Sequence, residues 1–353
     1  MRSEVYINKS TISENNKPYV IAEIGNNHLG SVNLAKEMIR VAASCGVDAV
    51  KFQKRSNEEL YTKSFYDSPY NSVNSFAETY GEHRDYLELS KEDFDELIKC
   101  AHESNVDIII TVFDMQSLAE MQHLDFDAYK IASGDITNIP LIESVAQLNK
   151  PLIISTGYCD YSDIDRAIRV IKKYTNQLVL MYCVSQYPTA DENPNLNLIL
   201  EYMKKYNDIP IGFSSHENGI LASCIACSMG AVAIERHFTV AHQLKGTDQA
   251  FSLDATQMKR LIASINRTVR MVGKSEEKRV NGFEQIAGEK LRKGIYASRS
   301  IKKGEILRAD DLCIKSPGTA LEPYYIHNII GSKAFKDMEK DEAFTSVQLN
   351  YGK

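Results

Sequence analysis

Polar residues recur along this chain where short apolar runs end. In order they are Glu23, Lys51 with Gln53, Thr111, Lys130 with Ser133, Ser155, Ser185 with Tyr187, Ser214 with His216, and Glu235 with His237. These are the side chains of acid–base, anion-binding and metal chemistry. Two lysines among hydroxyl donors suit a phosphate or carboxylate. At an effective dielectric near 20, a lysine about 4 Å from a unit negative charge gains on the order of 4 kcal/mol. Both lysines follow apolar neighbours directly, and an unpaired buried lysine is costly, so an anion is expected between Lys51 and Lys130. A single histidine after a strand reads as hydrogen-bonded scaffolding. Two of them, His216 and His237, ending neighbouring strands beside hydroxyl and carboxylate residues, offer paired nitrogen ligands with open positions for a catalytic divalent metal. Single serines at strand ends are common helix caps. Gly25, Gly134 and Gly157 read as turn residues, because no P-loop or dinucleotide fingerprint occurs.

The elements that must position these residues alternate along the chain from Tyr19 to Val272. Strands are expected at YVIAEI, VDAVKF, DIIITV, DAYKIA, PLIIST, LVLMYCV, IPIGFS and AVAIER, mostly unbroken apolar runs of the kind buried on both faces. Amphipathic helices lie between them. The first is capped by Ser31, presents Leu34, Met38, Val41 and Cys45 to one face and stops at Gly46. The last is capped by Asp254, turns Leu261, Ile265, Val269 and Val272 inward and ends at Gly273. Eight such units over roughly 250 residues predict an α/β fold, a TIM (β/α)8 barrel, with a doubly wound open sheet as the alternative. Residues two apart in a strand face one side, so Lys51/Gln53, Ser185/Tyr187, Ser214/His216 and Glu235/His237 each point into one mouth. Val50, Phe52, Ile234 and Arg236 then face the helix layer, with Arg236 in an ion pair. The expected division is a catalytic barrel over 1–273, a charged linker over 274–293, and a small module of short strands and turns over 294–353.

Composition narrows the partners. The chain has 353 residues, 43% of them hydrophobic and 25% charged, enough for one large core and a small second domain. A net charge of −6 argues against nucleic acid or an anionic membrane as partner. No apolar run reaches the roughly 20 residues of a membrane span, and the first residues have no signal-type apolar stretch. The seven cysteines sit singly, as reduced thiols do. A cytoplasmic location is therefore expected.

Several motifs together resemble the N-acetylneuraminate (sialic acid) synthase family. They are AEIGNNHLG (22–30), KFQK (51–54), YGEHRDYLELS (80–90), YKIASGD (129–135), STG (155–157), YP (187–188), IGFSSHENG (211–219), ERHFT (235–239) and KGTDQAFSL (245–253). The run from IKKGEIL through IKSPGTA to IIGSKAFKDMEKDE is similar to the antifreeze-like (SAF) domain that follows those barrels. The resemblance implies a metal-dependent condensation of phosphoenolpyruvate with an open-chain amino sugar. His216 and His237 match the metal ligands, for Mn²⁺ with Mg²⁺ or Co²⁺ as substitutes. Lys51, Thr111, Lys130, Ser133, Ser155, Ser185 and Ser214 match the phosphoenolpyruvate site. Glu23, assisted by Glu235, is the catalytic carboxylate. Gln53, Asp135, Tyr187, Asp248 and Ser316 fall on the sugar side. A domain-swapped homodimer is also implied. Ser316 stands where many bacterial members carry an arginine for the sugar's acyl group, which leaves N-acetylmannosamine, a diacetamido-dideoxy hexose and mannose all open as acceptors. Rival readings are a Schiff-base aldolase using Lys51 or Lys130, a non-catalytic sugar-binding or scaffold barrel, and a relative making an eight- or seven-carbon keto acid from a phosphorylated sugar. The last would need extra arginines at the mouth, which the motifs do not show.

Overall fold

The computed structural model describes residues 3–273, 277–318 and 320–345. Residues 274–276 of the expected linker and 346–353 of the expected second domain lie outside the described residues. The chain divides into two compact units, Met1–Gly273 and Lys274–Lys353.

The first unit begins with an antiparallel hairpin, β1 (Val5–Ile7) and β2 (Ser10–Ile12). Eight parallel strands then close into a barrel: β3 (Tyr19–Gly25), β4 (Ala49–Lys54), β5 (Asp107–Val112), β6 (Ala128–Ile131), β7 (Leu152–Ser155), β8 (Leu178–Cys183), β9 (Ile211–Ser215) and β10 (Ala233–His237), with β10 pairing back to β3. All seven residues of β3 and all six of β5 are buried, as strands with a helix layer outside and a filled barrel inside must be.

Along the inward parity of each strand the residue type changes from apolar to polar. Tyr19, Ile21, Ala49, Ile109, Ala128, Ile153, Val179, Met181 and Ala233 form the lower core, which the hairpin closes with Val5, Ile7 and Ile12. Two residues further up the same columns stand Glu23, Lys51, Thr111, Lys130, Ser155, Cys183 and Glu235. The barrel is thus packed and apolar at its base and charged at its mouth. The hairpin's role as a plug does not follow from its own short pattern, because its burial depends on a barrel that forms later in the chain.

The helix Val32–Cys45 is capped by Ser31, which accepts from Leu34 N, and stops at Gly46 in the left-handed region (φ 90°). Its buried face centres on Ala35, Met38, Ile39 and Ala42, so Leu34 and Val41 are only partly buried. In the helix Ala255–Val272, Asp254 makes a capping box with Gln257. Met258, Leu261 and Ile265 are buried, but Val269 and Val272 are exposed, against expectation. Eighteen residues extend about 27 Å, longer than the barrel wall, and the last turns overrun it.

After β4 the chain makes an excursion with three short helices, Asn57–Leu60, Lys63–Tyr66 and Tyr80–Tyr86. Tyr61, Phe65, Tyr70, Tyr80 and His83 pack as rings within it. In the second unit β11 (Gly294–Ala297) pairs antiparallel with β12 (Leu312–Lys315), around a small core that includes Ile295, Leu307, Leu321, Ile329 and Phe344. The KKGEIL stretch contributes only a bridge from Ile306 to Lys333 rather than a strand. A helix, Gly282–Leu291, lies within the expected linker. No helix of the described residues is long and apolar enough to cross a membrane.

Candidate active site

A cavity of about 340 Å³ opens at the C-terminal ends of the barrel strands. It is lined by Glu23, Lys51, Gln53, Thr111, Lys130, Ser133, Ser155, Ser185, Tyr187, Ser214, His216, Glu235, His237 and Asp248. Of the expected site residues, Asp135 is not among the lining residues. It caps a turn instead, accepting from Asn138 Nδ2 at 3.2 Å, and burial raises its carboxyl above the usual value. Ser316 belongs to the second unit, where its hydroxyl accepts from Lys293 at 2.6 Å. Strand parity explains Lys51/Gln53 and Glu235/His237. Ser185 and Tyr187 reach the cavity differently from expectation, because β8 ends at Cys183 and the loop beyond it carries them.

The floor of the cavity is a chain of buried charges. Lys51 Nζ lies 2.8 Å from Glu23 Oε2 and 3.5 Å from Glu235 Oε1. Lys130 Nζ donates to Glu235 Oε2 at 2.7 Å. The anion expected between the lysines is therefore supplied first by the protein. Adjacent strands place these groups: Glu23 is the register partner of both Lys51 and His237. Burial alone would push the Lys51 ammonium down, but Glu23 and Glu235 outweigh it and the net shift is upward. Burial pulls Lys130 down and Lys51 adds to that, while Glu235 opposes both. Burial would raise Glu235, yet Lys130 and Lys51 hold it well below the ordinary carboxylate range. Lys51 is thus a firmly protonated ammonium, the opposite of what a Schiff-base nucleophile needs.

Around the floor stand the hydroxyls. Thr111 Oγ1 accepts from Lys51 Nζ at 3.1 Å, and Ser214 Oγ donates to Glu235 Oε1 at 3.3 Å. Ser155 Oγ is buried with no partner, a donor left over for a ligand. Gly157 N donates to Ser133 Oγ at 2.9 Å. A Cβ on Gly157 would lie 2.2 Å from Ser185 Oγ and 3.0 Å from Ser133 Oγ. Gly157 is thus more than a turn residue: its missing side chain lets two hydroxyls converge. Gly157→Ala is expected to raise the KM for an anionic substrate about tenfold, with a smaller effect on kcat, as steady-state kinetics would show.

The imidazoles fit a divalent metal. His216 Nδ1 meets the Val184 carbonyl at 3.0 Å, which fixes the proton there and leaves Nε2 free. Burial, with His237 beside it, pushes His216 down to about 3, so its ring is neutral. His237 Nδ1 is buried without a hydrogen-bond partner, with Asp248 Oδ2 3.8 Å away. The two ring centres are 5.4 Å apart, close enough to share one ion. Among the described residues no third His, Cys, Asp or Glu completes a cluster with them.

With this geometry in place, the comparison with known proteins is specific. The NeuB family model matches residues 38–277, and the SAF domain model matches residues 292–350. This chain belongs to the NeuB family. It is 34% identical over 337 residues to the human N-acetylneuraminate-9-phosphate synthase, covering 95% of this chain and 94% of that one. It is 36% identical to the N,N'-diacetyllegionaminic acid synthase of Legionella pneumophila, over 89% of this chain and 90% of that protein. The crystal structure of N-acetylneuraminic acid synthetase from Leptospira borgpetersenii superposes with a TM-score of 0.73 at 31% identity, covering 81% of this chain and 95% of that one. The protein is accordingly a synthase, a TIM barrel followed by a SAF domain.

The NeuB cavity of this chain also holds residues that were not expected at the site, although Asn26, Arg84 and Thr247 stand inside the family motifs. Arg55, Arg84, Asn26, Phe113, Cys183 and Thr247 line it. The expectation of no extra arginines at the mouth is therefore corrected. Arg55 directly follows KFQK, and the parity of Lys51 and Gln53 extended by two residues would have found it. Arg84 sits on the Tyr80–Tyr86 helix of the excursion, where strand parity says nothing.

Proposed function

We propose that this NeuB-family synthase condenses phosphoenolpyruvate with the open-chain form of an N-acyl hexosamine and water, giving a nonulosonate of sialic-acid type and phosphate. N-acetylmannosamine or a diacetamido-dideoxy hexose is the acceptor class. The observation that supports this best is the convergence in one cavity of a hydroxyl cradle, the Glu23–Lys51–Glu235–Lys130 charge chain and the imidazoles of His216 and His237. The names of the human and Legionella relatives point the same way.

The lysines and the hydroxyls of Thr111, Ser133, Ser155, Ser185 and Ser214 would hold phosphoenolpyruvate with its C3 toward the aldehyde carbon, an orientation effect. C3 forms the new carbon–carbon bond as the aldehyde π pair moves onto its oxygen, which takes up a proton to become the product hydroxyl. A cation is left at C2. Water adds at C2, and the tetrahedral intermediate expels phosphate by C–O cleavage. Glu23 stabilises the cation as a carboxylate and takes the proton of the adding water, with Glu235 in support. Lys51 and Lys130 stay protonated and balance the charge. Tyr187, packed on His216 with ring centres 3.9 Å apart, and Gln53, which donates to Glu23, shape the acceptor side with Asp248. A divalent ion on His216 and His237, Mn²⁺ with Mg²⁺ or Co²⁺ as substitutes, would supply Lewis-acid polarisation of the aldehyde oxygen.

The seven free cysteines suit a reducing, cytoplasmic setting. The homodimer is carried forward as part of this reading, and light scattering that gives a monomer at assay concentration overturns it. The main test is phosphate release from phosphoenolpyruvate with a panel of N-acyl hexosamines and mannose. Chelation is expected to lower release at least tenfold, and added Mn²⁺ to restore it. An unchanged rate after chelation removes the metal from the reading. No release with any acceptor overturns the condensation itself.

A further inference from the structure

We propose that Asn27 is a positioning residue for the reaction: through Ser252 it sets the Asp248 carboxylate against Nδ1 of His237, which leaves Nε2 of that ring for the divalent ion. This rests on the condensation reading above and adds to it a residue from outside the cavity lining. Asn27 is 2% exposed, and both hydrogens of its amide are used. Nδ2 donates to the Phe238 carbonyl at 2.9 Å and to Ser252 Oγ at 2.9 Å. Ser252 Oγ passes the contact on, donating to the Asp248 carbonyl at 2.6 Å, and Ser252 N donates to the same oxygen at 3.2 Å. One amide thus grips the residue after His237 and, by a single relay, the residue that faces the His237 ring.

The far end of that relay is where the chemistry lies. His237 Nδ1 is buried without a hydrogen-bond partner. Asp248 Oδ1 accepts from Thr247 Oγ1 at 3.0 Å, so Oδ2 is the oxygen turned to the ring, 3.8 Å from Nδ1. A hydrogen bond there needs a shift of only about 1 Å. A carboxylate on one imidazole nitrogen fixes the tautomer and aims the other nitrogen at a metal. His216 obtains the same service from the Val184 carbonyl at 3.0 Å. His237 depends on Asp248 instead.

Asp248 has no element of its own to hold it in place. No helix or strand stands between β10 and Ala255, and Asp248 lies inside that stretch. A buried amide set ties the stretch down instead. Gln249 Nε2 donates to the Asn27 carbonyl at 3.1 Å, and Gln249 Oε1 accepts from Thr239 Oγ1. Thr239, Gln249 and Ser252 are as deeply buried as Asn27. The loop after Glu23 is thereby joined to the loop after His237 across the seam where β10 meets β3, and Phe238 N adds a bond to the Glu23 carbonyl at 2.8 Å. Apolar side chains could fill such a seam, but a satisfied polar network also fixes one arrangement of the groups it joins.

Calorimetry of Mn²⁺ binding to the full chain without substrates tests this in a double-mutant cycle of Asn27→Ala and Asp248→Asn, with phosphate release from phosphoenolpyruvate followed on the same samples. Each single substitution is expected to weaken Mn²⁺ binding about tenfold. The double substitution should weaken it no more than about threefold further, because both changes cut one path. Ser252→Ala should repeat Asn27→Ala, and Ser252→Thr, which keeps the hydroxyl, should restore part of the affinity. Losses that multiply in the double variant overturn the proposal, since damage to the fold at two independent places adds in free energy. Unchanged Mn²⁺ affinity in Asn27→Ala and Ser252→Ala overturns it too, whatever their melting temperatures. So does a wild-type chain that takes up no Mn²⁺, even where phosphate is released. Coupled loss of Mn²⁺ without any phosphate release keeps the positioning role and overturns the condensation reading. If Asn27→Ala fails to fold, the cycle of Ser252→Ala with Asp248→Asn decides.

Discussion

Replacing Glu23 by glutamine lowers kcat by about 10²- to 10⁴-fold while the protein stays folded. Glu23 is 1% exposed and held from two sides. Gln53 Nε2 donates to Oε1, and Lys51 Nζ approaches Oε2 to 2.8 Å. Oε2 itself makes no hydrogen bond, and Glu23 lines the cavity. Glutamine has nearly the same shape and still accepts from Gln53 through its oxygen, but it carries no charge and takes up no proton. Lys51 retains Glu235 at 3.5 Å and Thr111 at 3.1 Å, which limits the loss of stability. Initial rates with both substrates saturating, alongside a thermal melt, check this. A rate within threefold of wild type moves the proton transfer to another group. Glu235→Gln should behave differently, because it removes the closest partner of Lys130 and loosens Lys51 as well. The folded Glu235 carboxyl lies below its unfolded value of 4.5. Its stabilising contribution is therefore complete above that pH and drains away as pH falls below it. In Glu235→Gln that part of the acid transition should be missing, and stability near neutrality should fall by about 3–5 kcal/mol.

The parts of this site that were legible in the sequence share one physical property: they are set by the pleat of a single strand. Once a run such as AVKFQK is a strand with Val50 and Phe52 packed outward, Lys51 and Gln53 have no direction left except the barrel interior. The same logic placed Glu235 and His237 inside and Arg236 outside. What stayed hidden depends on where distant segments meet. Arg84 comes from a helix in the excursion after β4, far along the chain from the strand ends. Phe76 meets Lys245, 4.7 Å from ring to ammonium, and Asn74 accepts from Gly246 N at 3.4 Å, contacts across more than 160 residues of chain. The hairpin of Val5, Ile7 and Ile12 is likewise a plug only because eight strands surround its position. Val269 and Val272 show the converse error. A helical period continues past the end of the wall it packs on, and periodicity cannot report where the wall stops. The charge chain was half legible: burial of Lys51 and Lys130 demanded an anion, but two were already present on neighbouring strands. Any ligand anion must therefore compete with Glu23 and Glu235 for the lysines or rely on the hydroxyl cradle.

The outward face of the same strands carries the second large effect. Glu217→Ala is expected to destabilise the barrel by about 3–5 kcal/mol, lowering the melting temperature by roughly 5–15 °C. Glu217 accepts from Ala222 N at 2.7 Å, from Ser223 N at 2.9 Å and from Ser223 Oγ at 2.8 Å. It therefore satisfies free N–H groups at the start of the helix Leu221–Ser228. It also pairs with Arg236 Nη1 at 3.0 Å, between side chains 5% and 1% exposed. Alanine would leave Arg236 buried with only the Glu217 and Gly219 carbonyls and the Ser223 hydroxyl, while its Nε is already without a partner. Glu217→Gln keeps one acceptor for the helix and should cost less than alanine. Thermal melts of the two variants check the order, and a shift under 2 °C for alanine contradicts it. The effect should also reach the chemistry. Glu217 follows His216, and Arg236 stands between Glu235 and His237. The ion pair behind the wall thus fixes the backbone from which both imidazoles and one floor carboxylate project. In Glu217→Ala, Mn²⁺ titration against residual activity should show a weaker apparent affinity by about 10- to 100-fold, even at temperatures where the barrel remains folded.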